Sequence, residues 1–104
     1  MADGIVRATR TMFGYAVSVT GGTAVTTTTI TKDAVRIKGI FVVGEATTDI
    51  LILNDSNGEL IVKAAAGTKS DNPKAIPLWG ARAQGLQVSH GGATSTGLMS
   101  IILE

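Results

Sequence analysis

From Ala34 onward the chain alternates: Val35 and Ile37 share one side of an extended backbone and Arg36 and Lys38 the other. After Gly39 the alternation stops, with Ile40, Phe41, Val42 and Val43 in succession, and a second unbroken run follows at Ile50, Leu51, Ile52 and Leu53. A period of two marks a strand with one wet face, and an apolar run marks a strand covered on both. No window of a dozen residues keeps a 3.6-residue period, so helices are not expected. Threonine and glycine divide the sequence into β-prone runs at 15–20, 24–32, 34–44, 49–54, 60–65, 76–79, 84–90 and 97–104. Strands at this spacing predict an all-β domain, an antiparallel β-sandwich of jelly-roll-like type, over residues 14–104.

The links have turn chemistry. Gly21 and Gly22 lie between Thr20 and Thr23, and Asp55, Asn57 and Gly58 occupy the 54–59 connection, so both read as hairpin turns. Residues 90–97 form a glycine-rich connection into the last strand, and residues 64–77, with Asn72–Pro73 disfavouring helix, read as an exposed loop. Residues 1–13 fit no strand well, yet Ile5, Val6, Met12 and Phe13 are too apolar for a free tail. They are expected to be an extended N-terminal arm that docks on its own sheet or on a neighbour.

At 104 residues the chain is one domain that buries about two-thirds of its unfolded surface, so its core is small. With four aromatic residues (Phe13, Tyr15, Phe41, Trp79), that core must be aliphatic and ring platforms are scarce. Charged residues are 16% and the formal net charge is +1, which leaves a surface tolerant of close neighbours. No cysteine is present, so disulfides and thiolate metal sites are excluded. No apolar run has signal-peptide or membrane-span length, and a soluble protein made in the cytoplasm is expected.

Candidate chemistry is thin. His90 is the one histidine and stands at a strand end before Gly91–Gly92; Ser89 and Ser95 are near in sequence, but no Gly-x-Ser-x-Gly elbow occurs. Asp55, Asn57 and Glu59 alternate like the start of a calcium loop, but Leu60–Val62 follow as a strand before a twelve-residue pattern can complete. Gly67–Ser70 echoes only the end of a phosphate loop. The basic residues are scattered and form no nucleic-acid stripe, and Arg36 with Lys38 reads as a solvated strand face. A protein without enzymatic activity, cofactor, metal, nucleic-acid or membrane partner is expected.

The runs at 40–43, 50–53, 60–62 and 98–103 carry the functional expectation. A sandwich has one inner face per sheet, and apolar residues on the other face need cover from the arm or from further copies of the chain. A homo-oligomer is therefore predicted, with Ile50, Ile52, Leu60, Val62, Trp79, Met99 and Ile101 as candidates for self-association. Trp79 in particular is a potential interface anchor.

The order of pieces over residues 35–104 resembles small structural proteins of tailed-bacteriophage virions. The likeness lies in "VRIKGIFVVGEATTDILILNDSNGELIVKAAAG" followed by "AIPLWGARAQGLQVSHGGATSTGLMSIILE": a strand, an apolar pair around an Asn/Asp/Gly turn, a "GLQV" strand, a glycine-rich turn and a final apolar strand. The resemblance implies a capsid decoration (cement) protein, a homotrimer on the capsid surface of the virion that binds and stabilises the major capsid protein lattice. It carries no catalytic residues. With residues 1–13 as the arm, Ile5, Val6, Arg7 and Phe13 are the candidates for capsid docking. Two alternatives stay open: a head–tail or tail/fibre component, and a carbohydrate- or receptor-binding β-sandwich in which Tyr15 and Trp79 would have to supply the platforms.

Overall fold

A computed structural model describes residues 4–45, 49–65, 67–68 and 74–104. Every regular element among them is a strand: β1 (Ile5–Arg10), β2 (Gly14–Thr20), β3 (Thr27–Gly44), β4 (Ile50–Asn54), β5 (Leu60–Ala65), the two-residue β6 (Gly67–Thr68), β7 (Lys74–His90) and β8 (Gly97–Leu103). Seven of them join in one antiparallel sheet in the order β1-β2-β8-β3-β7-β4-β5, and β6 pairs parallel with β3. Where the sequence reading expects two facing sheets, hydrogen bonding forms one continuous path.

Two long strands make this possible. The predicted runs 24–32 and 34–44 merge into β3, which stays continuous because register shifts at Thr29/Thr31 and Thr31/Ala34 bend it instead of ending it. The predicted runs 76–79 and 84–90 likewise merge into β7. The residues expected to be loop at 74–77 are strand, paired with Gly39–Val42. Pro77 is tolerated there because β4 pairs with β7 only where Leu51–Asn54 face Gln87–His90, which leaves the first half of β7 as a sheet edge.

The sheet curls. Val6, Val17, Val19, Met99 and Ile101 from one end of the path share a single buried cluster with Leu51, Leu53, Ala64, Leu86 and Val88 from the other, and Ile37, Ile40 and Val42 lie between. Strands so far apart in the path meet only if the sheet folds over its own inner face. Side-chain bonds fasten the fold: the Thr26 hydroxyl donates to the Gly4 carbonyl, and that of Thr28 donates to the Val6 carbonyl at 3.3 Å. The radius of gyration, 12.5 Å, is that of a close-packed chain of this length.

Residues 5–10, expected to belong to an arm, are a full strand, antiparallel to β2 from Ile5↔Thr20 to Arg10↔Tyr15. Only Val6 turns inward, which explains why no alternating apolar signal marks the segment. Residues 1–3 of the expected arm lie outside the described residues, as do 46–48, 66 and 69–73; the last group contains Lys69–Ser70 of the phosphate-loop echo.

Candidate functional site

The outer face of the sheet is built from the positions that alternate with the core. Cross-strand register lines up Pro77, Gly39, Ile102 and Gly14 in one row and Ala75, Phe41, Ser100 and Ala16 in the next, followed by Val43, Leu98 and Ser18. Charge enters these rows only at the margin, where Arg7 of β1 pairs with Ser18. Small residues fill the middle, and the bulky ones rise around them: Phe41 is 46% exposed and Leu98 53%.

Phe13 completes the rim. It sits at the tip of the β1–β2 hairpin, which is closed by Thr11 N–H to Gly14 O at 2.8 Å and by the Arg10 guanidinium to Gly14 O at 3.2 Å. Its carbonyl accepts from Leu103 N–H at 2.8 Å, so the tip is tied to the end of β8 while the ring stays 67% exposed. Gly14 permits this approach, because a Cβ there would stand 1.9 Å from the Ile101 carbonyl oxygen. The result is an apolar groove of about 570 Å³ between Phe13, Phe41, Ala75, Pro77 and Ile102, with Lys38 at its edge.

Beside it β7 bulges. Gly39 pairs with Pro77 and Ile37 with Ala81, so Leu78, Trp79 and Gly80 oppose Lys38 alone. Trp79 takes a left-handed backbone, φ 56°, followed by Gly80 at 76°, and its side chain is 86% exposed. A left-handed bulky residue is a conformational outlier, held only where its surroundings impose it.

The sequence-derived candidates do not gather into one patch. Met99 and Ile101 are 0% exposed and belong to the core, which corrects their assignment to a surface contact. The reason is parity: in β8 Met99 and Ile101 point inward, and Leu98, Ser100 and Ile102 point out. Val6 is likewise buried, whereas Ile5, Arg7 and Phe13 are exposed. Ile50, Ile52 and Val62 are half-buried and Leu60 is exposed, but β4 and β5 lie at the far end of the strand path from β8. Sequence reasoning flagged the runs that hold Phe41, Leu98 and Ile102 without singling those residues out, and it read Pro77 as the end of a loop. Ser100 was the available signal, since a polar residue inside an apolar run marks the outward parity.

The other motifs resolve into structure. The Asp55 carboxylate accepts the backbone N–H groups of Asn57 and Glu59, each at 2.9 Å, so the calcium-like run is a turn that uses its own oxygen. His90 is buried; its Nδ1 lies 3.0 Å from the Ser95 carbonyl oxygen, and its Nε2, which abuts Gly4, has no hydrogen-bond partner among the described residues. Among the described residues no three His, Asp or Glu side chains cluster in a metal-binding arrangement, and no helix is long and apolar enough to cross a membrane. No protein-family model, curated protein or solved structure matches the chain.

Proposed function

We propose that the chain is a non-enzymatic structural protein of a virion, a capsid decoration (cement) protein that binds the major capsid protein lattice as a homotrimer. The observation that supports this reading is the apolar centre of the outer face, with Phe13, Phe41 and Leu98 in solvent and charge confined to Arg7 and Lys38 at its margins. Four strands by five residues at ordinary sheet spacings give a face of roughly 300 Å². A standard interface buries about 800 Å² per partner, so one such contact alone is weak. A repeating lattice offsets that, because simultaneous contacts by linked copies multiply their effect. The reading takes the curled sheet as a jelly-roll-like sandwich and residues 1–13 as its docking arm, with Ile5, Arg7 and Phe13 as the members able to reach the shell. Synthesis in the host cytoplasm and residence on the capsid surface belong to the same proposal.

Mixing the purified chain with undecorated shells and sedimenting the particles tests it. Co-sedimentation that saturates in proportion to capsid subunits, and that Phe41→Asp abolishes, is expected. A chain that stays wholly in the supernatant overturns the decoration role. The exposure of Trp79 favours one rival, a glycan-binding module, and a glycan-array signal lost in Trp79→Ala would replace the virion reading with it.

A further inference from the structure

Arg36 on β3 and Arg82 on β7 are direct cross-strand partners, and both side chains are exposed. Like charges at facing positions destabilise a sheet. Among the described residues no carboxylate forms an ion pair with either arginine; Glu104 donates its backbone N–H to the Arg36 carbonyl at 3.0 Å but lays its carboxylate over Gly80. Between the two arginines lies a concavity of about 350 Å³ lined by Ala34, Val35, Arg36 and Arg82. Lys38, exposed two residues beyond Arg36, opposes the bulge that carries Trp79. A repulsive cation pair and a solvated tryptophan on a left-handed backbone thus sit within one stretch of the β3–β7 ladder. Each costs stability in the isolated chain.

We propose that the Arg36–Arg82 concavity is a carboxylate seat for an acidic segment of a partner protein, with Trp79 as the apolar anchor beside it. Guanidinium groups are planar forks that take a carboxylate through two parallel hydrogen bonds, and two of them facing one hollow place four such donors around it. A nucleic acid fits less well: the net charge is +1, and the cations beyond Lys38 are not arrayed along a track. Tryptophan and arginine are also the residues that most often carry the energy of protein–protein contacts. This surface adjoins the outer-face groove at Lys38 but has its own lining, and the proposal stands whether or not the partner is a capsid.

Trp79 is the only tryptophan, so its emission reports on the surface directly in the intact chain. The probes are a short peptide of glutamate and leucine, the same peptide with glutamine for each glutamate, and a thymidine oligonucleotide of equal charge. A saturable blue shift with the glutamate peptide is expected, weakened at least about tenfold with the glutamine peptide and in Arg36→Gln/Arg82→Gln, the scale of one lost charge-assisted pair. That double variant is expected to melt at the parent's temperature or above it, since a repulsion is removed. No saturable response, an undiminished response in the double variant, a marked loss of its thermal stability, or tighter binding of the oligonucleotide would each overturn the proposal.

Discussion

Leu98 and Met99 are neighbours in β8, yet the first is 53% exposed and the second fully buried. Their substitutions should separate accordingly. Met99→Ala is expected to cost about 2–5 kcal/mol in urea unfolding, the range for emptying a packed core position. Leu98→Ser should leave folding within about 0.5 kcal/mol and act on association instead. Equal losses would mean that the inward and outward positions are misassigned. Gly14 offers a second test. Its alanine variant puts a methyl group into the Ile101 carbonyl, so a loss of about 1–3 kcal/mol is expected, whereas Gly92→Ala, whose nearest neighbour is Ser95 Oγ at 3.9 Å, should be close to neutral. At this scale the sequence was legible where charge alternates with aliphatic residues, as at Val35–Lys38. It was not legible inside unbroken apolar runs, because parity there depends on which face the rest of the sheet covers.

Strands β1 and β7 carry the differences between the expected and the observed elements. β1 offers a single inward side chain, Val6, too little for a period-two signal, but it makes six residues of pairing with β2. Deleting residues 1–10 should therefore lower stability by at least about 1.5 kcal/mol from Val6 burial alone, measured by thermal or urea unfolding. A detachable arm with no share in the core would leave the midpoint unchanged. The bulge in β7 was hidden for another reason: its position follows from the pairing of Pro77 with Gly39 and of Ala81 with Ile37 on a strand some forty residues away, and local composition does not encode that. Its backbone makes an unusual substitution pattern testable. Trp79→Gly is expected to be more stable than Trp79→Ala by about 1 kcal/mol, the reverse of the order in a regular strand, because only glycine takes the left-handed region freely. If alanine proves the more stable, the bulge conformation is wrong.

At the scale of the molecule, low charge and scarce aromatics anticipated a small aliphatic core, and the all-β class followed from the absence of any helical period. The single curled sheet did not, since continuity of β3 and β7 through their irregularities decides between one sheet and two. The expectation that greasy strands need outside cover divides in the same way. Ile40, Val42, Leu51, Leu53, Met99 and Ile101 are buried within the chain. Phe41, Leu98 and Ile102, with Phe13 beside them, form the surface on which the assembly reading depends, while Ile50, Ile52, Leu60 and Val62 lie elsewhere on β4 and β5. Light scattering on the purified chain across the micromolar range, with Phe41→Asp/Leu98→Asp alongside, tests that reading most directly. The account expects the parent to have a mass that is a multiple of 10.6 kDa and the double variant to fall to 10.6 kDa with its fold intact. A parent that stays at the mass of one chain throughout, with this face in water, would contradict it.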